Sequence, residues 1–342
     1  MMHTLDNLTF PPSTKQKCCK NYEGNYTFLF HGNCIDGWFS AYIAYTAIKE
    51  KNTGFINMYP ISPSQTDTWP TQMSGTHILL LDVSVQKEYR DKWIADGALS
   101  VECIDHHATS IEHWPGICPI NTESCAALQT WQHFYPEKEI PFWLHHIDRV
   151  DRWDNPTYED RCIREVLNNI AHKPVEKKID EAFKMTEQFL RTICNPNGIC
   201  NPNGFTAIIG NGKAILDIKD AELRQILDNG SIHQFTYDYI EGWKLPQTWL
   251  DLNVFIIDNT GITLDTTEAA HLAFEHYPTI TVFINYRKKY DRWSKKTSYV
   301  YSARSRGFNI TDGTILKGHP NSAGASLTKG DVPILPFLLS PP

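Results

Sequence analysis

The chain has 342 residues, 41% of them hydrophobic and 21% charged, which accommodates about two domains and excludes disorder. Its net charge of −7 excludes a protein that coats nucleic acid indiscriminately, while leaving room for a small anion in a local cationic pocket. The nine cysteines show no CxxC spacing and read as free thiols of a reducing compartment.

Residues 1–24 are polar, carry Pro11 and Pro12, and read as a flexible lead-in, not a secretory leader. Tyr26–Phe30 predicts a strand ending at His31. From Gly37 a helix is expected through Ile48, with Phe39, Ile43 and Ala47 at spacing four. Phe55–Tyr59 predicts a second strand, His77–Leu81 a third that runs into Asp82, and Leu99–Ile104 a fourth that runs into Asp105. Gln86–Ala95, with Tyr89 and Trp93 four apart, predicts a helix, and Thr122 is an expected N-cap for another through Ala126, Leu128 and Trp131. Val175–Arg191 reads as a charged helix. The hexapeptide Ile193–Gly198 is then repeated at once as Ile199–Gly204, and its Asn-Pro and Asn-Gly pairs predict a surface turn, a tolerated insertion.

Beyond it, Phe205–Ile209, Val254–Ile257, Ile280–Ile284 and Tyr299–Tyr301 predict strands, and Ala221–Leu227 and Thr267–His276 helices, the first closed by Gly230. Arg287, Lys288, Lys289, Arg292, Lys295 and Lys296 read as a solvated hairpin tip. A short helix is expected from Gly318 through Leu327. Alternating strands and helices predict an α/β protein with a parallel sheet covered on both faces, a second unit, and a cleft between them. No apolar stretch approaches the ~20 residues that span a bilayer, so a cytoplasmic protein is expected.

Four motifs punctuate the first half: His31-Gly32-Asn33-Cys34-Ile35-Asp36-Gly37, Leu81-Asp82-Val83-Ser84, Asp105-His106-His107 and Ile147-Asp148-Arg149-Val150-Asp151-Arg152-Trp153. His31, Asp82 and Asp105 each follow an apolar strand, and in an open parallel sheet the carboxyl ends of the strands form the ligand crevice. Carboxylates gathered there need cations to neutralise them. Oxygen ligands mixed with neutral imidazole suit Mn²⁺ or Mg²⁺, the imidazoles favouring Mn²⁺. A lone Asp after a strand is more often a cap, and His145-His146 is read as a surface or half-buried pair; the joint occurrence of the four motifs carries the metal reading. Trp38 and Trp153, beside ligand motifs, are the tryptophans expected to line the site.

The ordered motifs resemble those of the DHH phosphoesterase superfamily, in its RecJ-like and nanoRNase-like branches. The C-terminal elements Ser302-Ala303-Arg304-Ser305-Arg306-Gly307 and Gly318-His319-Pro320-Asn321-Ser322-Ala323-Gly324 resemble its DHH-associated domain. The resemblance implies a Rossmann-like catalytic domain over residues 25–165, a helical linker with a turn-rich insertion over 166–204, and a smaller α/β substrate-binding domain over 205–342. It implies His31, Asp36, Asp82, His106 and Asp151 as ligands of two metal ions, with Asp148 as the rival of Asp151. Asp105 would orient or ligate, and His107 would lie over the substrate phosphate. Arg304 and His319 would contact phosphate, with Gly318, Asn321 and Gly324 forming the loop beside them. Cys34 stands where the superfamily has a carboxylate; a thiol there matches Mn²⁺ poorly and suits a softer metal such as zinc.

The activity implied by the resemblance is that of a metal-dependent phosphoesterase acting on a nucleotide or short oligonucleotide. The alternatives are an inorganic pyrophosphatase or exopolyphosphatase, and a degenerate nucleotide-binding protein without turnover. The oligomeric state is left open, a homodimer included.

Overall fold

The computed structural model describes residues 23–50, 52–62, 69–108, 110, 114, 122–195, 200–235, 247–291, 296–312, 314, 316–319 and 321–328. Most of the expected lead-in, Arg292 to Lys295, Pro320 and part of the duplicated hexapeptide lie outside the described residues.

Strands β1 (Asn25–His31), β2 (Ile56–Ile61), β3 (Thr76–Leu81) and β4 (Ser100–Ile104) pair in parallel in the order β2-β1-β3-β4. β1 and β3 are continuous apolar runs because both of their faces are covered. Phe28 and Phe30 pack with Trp38, Phe39 and Ile43 of α1 (Ile35–Lys49), whereas Leu29, Ile78 and Leu80 face Trp69, Trp114 and Trp93, the last from α2 (Lys87–Ala95). A Cβ on Gly37 would lie 2.3 Å from the His31 carbonyl oxygen. Only glycine lets the first turn of α1 seat against the end of β1, so this glycine fixes where His31 and Asp36 stand relative to each other.

Helices α3 (Ala126–Phe134), α4 (Phe142–Asp151), α5 (Tyr158–His172) and α6 (Ile179–Ile193) follow. α3 starts at Ala126 with Cys125 at its N-cap, three residues after the N-cap expected at Thr122. Its first amides take acceptors from far along the chain: Cys125 N–H donates to Asp148 (2.6 Å), and those of Ala126 and Ala127 to Asp36 (2.8 and 2.6 Å). A cap borrowed from another element leaves no mark in the local sequence.

α7 (Pro202–Leu227) replaces the strand expected over Phe205–Ile209. Pro202 sits in its first turn, where its missing N–H costs nothing. Gly204, Ile208, Gly212, Leu216, Leu223 and Leu227 are its buried positions, spaced as a helix face requires. A Cβ on Gly212 would come within 2.0 Å of the Cys162 carbonyl oxygen, so glycine permits the close crossing of α5 and α7.

The second sheet is mixed: β5 (Ser231–Gln234), β6 (Asn253–Asp258), β7 (Val282–Asp291), β8 (Lys296–Ser305), β10 (Ser322–Thr328) and β9 (Lys317–His319), in that order. Only β6 and β7 run parallel. One face carries α8 (Thr266–His276), and Trp153 joins its apolar layer with Phe255, Phe283 and Ala270. The other face buries Val254, Ile284 and Tyr301 under Trp249. The segment expected as a short helix after Gly318 is strand β10, paired along its length with β8. Its run Ser322-Ala323-Gly324-Ala325-Ser326 has no apolar helical stripe, and the β8 edge satisfies its amides. Arg287, Lys288 and Lys289 are exposed where the β7–β8 hairpin nears its tip. No helix is long and apolar enough to cross a membrane among the described residues.

Candidate active site

The parallel order places three chain ends side by side. His31 is the last residue of β1, Asp82 follows β3, and Asp105 follows β4. Asp82 adopts φ +58°, a left-handed conformation that costs a non-glycine residue about 1–3 kcal/mol, and its N–H donates to the Ile104 carbonyl (2.9 Å). The backbone bends there to turn the carboxylate into the crevice. Asp82 Oδ2 lies 3.2 Å from His31 Nδ1 and its Oδ1 3.2 Å from His106 Nε2. His106 Nε2 also lies 3.2 Å from Asp151 Oδ2 and 3.5 Å from Asp36 Oδ2. One buried imidazole therefore faces three carboxylates drawn from the end of β3, α1 and α4.

Asp148, the rival in the fourth motif, is committed elsewhere. It accepts from Cys125 N–H and pairs with Arg152 at 2.9 Å. Asp151, three positions on and about 60° further round α4, lies against His106 instead.

Asp105 holds the turn that carries the two histidines. Its Oδ1 accepts from the His106 amide (2.8 Å) and pairs with His107 Nδ1 (2.8 Å). Its Oδ2 accepts from the Ser110 hydroxyl, whose oxygen lies 2.7 Å from Ser84 Oγ.

Crowding sets the protonation of the cluster. Burial and the neighbouring Asp82 and Asp151 push the Asp36 carboxyl well above the usual carboxylate range. Burial works against ionisation of Asp82 as well, but His106 and His31 hold it well below that range. Burial disfavours the His107 imidazolium, yet the Asp105 carboxylate overrides it and brings the pKa to about 9. Burial, reinforced by Asp82, Asp151 and Asp36, pushes the Cys34 thiol well above its ordinary value.

Ligand atoms from His31, Cys34 and Asp82 lie within 4.8 Å of one another, as do those from Asp36, His106 and Asp151, and those from Asp82, Asp105, His106 and His107. Asp82 Oδ1 and Asp151 Oδ2 are buried oxygens that share only His106 Nε2, 3.2 Å from each, and neither forms a well-aligned hydrogen bond among the described residues. Such oxygens are costly unless a cation or a proton meets them. This donor set fits a divalent cation.

The cluster opens into a cleft of about 440 Å³ lined on one side by His31, Cys34, Asp82, His107 and Asp151, and on the other by Arg304. Arg304 comes from β8 and is held by Thr267 Oγ1 (3.2 Å), its own Ala303 carbonyl (2.8 Å) and the Trp153 ring, 5.7 Å away. Its buried Nε has no acceptor among the described residues. Burial, with repulsion from Arg164, draws its pKa down to about 10. It is a desolvated cation facing a cleft.

Other expected residues stand apart. Gly318 and His319 form β9, opposite Ala323 and Ser322; the His319 side chain lies outside what is described. The Asn321 carbonyl accepts from the Ser305 N–H (3.0 Å), and Gly324 packs against Tyr301, where an added Cβ would meet the carbonyl oxygen at 2.8 Å. Ser322, between these two, reaches the cleft wall. Trp153 lines the cleft, its Nε1–H donating to the Ser305 carbonyl (3.2 Å). Trp38 does not: it is fully buried, with its Nε1–H on Thr186 Oγ1 (2.8 Å). His146 is buried against Asp160 and reaches the cleft wall.

Sequence reasoning missed Arg164, Asn168, Thr267 and Ser322 on the walls, and Ser110 behind Asp105. Ser322 stood inside a quoted element; the others sit at no spacing that marks them.

No family model matches the chain, and no curated protein matches it. Among solved structures it is similar to a pGpG-specific phosphodiesterase, PggH, from Vibrio cholerae, at 13% identity and a TM-score of 0.47, over 90% of this chain and 94% of that one. It is also similar to an exopolyphosphatase-related protein from Bacteroides fragilis (12% identity, TM-score 0.43, 88% and 86% covered). A third is RecJ from Thermus thermophilus in complex with Mn²⁺ (12% identity, TM-score 0.41, 89% and 49% covered).

Proposed function

We propose that the chain is a divalent-metal-dependent phosphoesterase of the DHH superfamily, hydrolysing nucleotides or short oligonucleotides. One observation carries the reading. Donors from four separate motifs gather on one wall of a cleft whose other wall presents Arg304, a buried cation that pairs with no carboxylate among the described residues.

His31, Cys34 and Asp82 would hold one cation and Asp36, His106 and Asp151 a second, Asp82 lying between the two groups. Bound there, divalent cations acidify water and neutralise charge on a phosphate. The chain's own groups do the rest. Arg304 offers a planar fork to phosphate oxygens and orients the ester against the acidic wall. His107, kept protonated by Asp105, would give a proton to the leaving oxygen. Trp153 and the apolar side chains beside it limit water around the ester.

The test is hydrolysis of the dinucleotide pApA, of a long single strand and of pyrophosphate with Mn²⁺, in the wild type and in Asp82→Ala. Faster turnover of pApA than of the other two, abolished in the variant, is the expected result. Cleavage of the long strand alone rejects the substrate size, a preference for pyrophosphate favours the pyrophosphatase reading, and an unchanged rate in Asp82→Ala removes the site.

A further inference from the structure

The duplicated hexapeptide plays no part in the cleft, yet it places two thiols face to face. Cys194, just past the end of α6, and Cys200, just before α7, form an isolated antiparallel bridge. The register defines which kind of pair this is. The Asn201 N–H donates to the Ile193 carbonyl at 2.7 Å, so the hydrogen-bonded pair is 193 with 201. Cys194 and Cys200, one step inward on both strands, are then the non-hydrogen-bonded pair, in which Cα atoms approach to about 4.5 Å and side chains lie closest. That spacing falls inside the ~4.4–6.8 Å range that a disulfide spans without backbone movement.

Two further contacts tie the joint on either side of the thiols. Asn201 Nδ2 donates to the Thr192 carbonyl (3.1 Å), and a Cβ on Gly204 would come within 1.7 Å of that same oxygen. These contacts, with the bridge, set the register in which the thiols are opposed. Both cysteines are half-buried and open to a small reagent, whereas Cys103, Cys125 and Cys162 are buried. Burial holds both thiols above their ordinary pKa.

We propose that Cys194 and Cys200 are a redox modification site, converted by a low-molecular-weight disulfide into an intramolecular disulfide that staples α6 to α7. One thiolate attacks the reagent, forming a mixed disulfide and releasing one small thiol. The second thiolate then attacks the protein sulfur, closing the Sγ–Sγ bond and releasing the other small thiol. The protein gives up two protons and two electrons, and the reagent is reduced to two thiols. The raised thiol pKa values make closure faster at pH 8.5 than at pH 7. Because the bridge between Cys194 and Cys200 already sets the register, the bond forms without displacing either helix.

The experiment incubates the full chain, folded, with oxidised glutathione at pH 8.5. Remaining thiols are blocked with N-ethylmaleimide, and the tryptic peptide Thr192–Lys213, which holds both cysteines, is weighed. The expected peptide is two hydrogens lighter than the reduced form and carries neither glutathione nor maleimide; the oxidised chain unfolds several degrees higher, a gain absent from Cys194→Ser and Cys200→Ser. A peptide with glutathione or maleimide on both cysteines overturns the proposal, as does a disulfide-linked dimer. Serine at either position should leave the reduced chain's unfolding midpoint in place, which separates loss of the staple from loss of the fold.

Discussion

Two aspartates three residues apart show how a single position divides labour. Asp148 and Asp151 share α4, yet one caps α3 and pairs with Arg152 while the other faces His106. Asp151→Asn should keep the fold and lose Mn²⁺-dependent turnover by at least ~10²-fold, because a neutral amide cannot replace a charged ligand beside an imidazole. Asp148→Asn should do the reverse: it keeps an acceptor for the Cys125 N–H but loses the charge paired with Arg152, lowering stability by about 1 kcal/mol or less while Mn²⁺ still binds. Turnover measured beside thermal unfolding for both variants decides it; equal loss of activity in the two would mean the helix, not the residue, sets the site. Cys34 allows a second test at the same scale. Burial among three acids keeps its thiol protonated, so ligation must displace a proton. Cys34→Asp supplies a hard donor and should tighten Mn²⁺ relative to Zn²⁺. Calorimetric titration with each metal reads the ratio, and an unchanged ratio takes Cys34 out of the ligand set.

Elements were legible where one period ran unbroken. β1, β3 and β4 stood out as apolar runs ending in His31, Asp82 and Asp105, and the crevice followed from those endings alone. α7 did not, because the short run Phe205–Ile209 reads equally as a strand until the buried positions out to Leu227 are counted. β5 and β9 are too short, at 4 and 3 residues, to carry a pattern, and β10 is a strand by virtue of its pairing with β8. The start of α3 was hidden for another reason, since Asp36 and Asp148 cap it from 90 and 23 residues away.

At α8 the cap is local. Asp265 accepts from the Glu268 N–H and pairs with Arg164 at 3.0 Å. Burial opposes its ionisation, but Arg164 and Lys219 hold its pKa at about 2. The folded value lies below the unfolded ~3.9, so this stabilisation is complete above pH ~4 and is lost as pH falls towards 2. Asn keeps the cap and removes the charge. Asp265→Asn should therefore cost about 2 kcal/mol at pH 7, shrinking across that window, as urea unfolding at pH 7, 4 and 2.5 would show. A difference that does not change with pH would assign the effect to packing.

Across the molecule, the two sheets are locked together by buried charge as well as by apolar contact. Glu268 of α8 is fully buried and accepts from Arg161 Nε (2.8 Å) and Arg164 Nη1 (2.8 Å), both on α5; Lys219 of α7 pairs with Glu165 and Asp265. These pairs bridge the helices behind the first sheet and the helix on the second. They also set the cleft, because Arg164 lines it and Thr267, next to Glu268, holds Arg304. Glu268→Gln is isosteric but removes the carboxylate shared by two guanidinium groups; Arg164 keeps Asp265 and Glu165 and Arg161 keeps Asp220, so the cost falls below the about 3–5 kcal/mol of a buried charge left unpaired. The proposed metal donors all belong to the first half of the chain, whereas Arg304 belongs to the second. The variant should then unfold at a lower temperature and show a raised KM for pApA, since Arg304 is no longer held at its distance from Asp82, while Mn²⁺ affinity stays as in the wild type. Loss of Mn²⁺ binding in the folded variant would mean that the cradle depends on the second sheet, and the division of cation and phosphate between the two halves would fall.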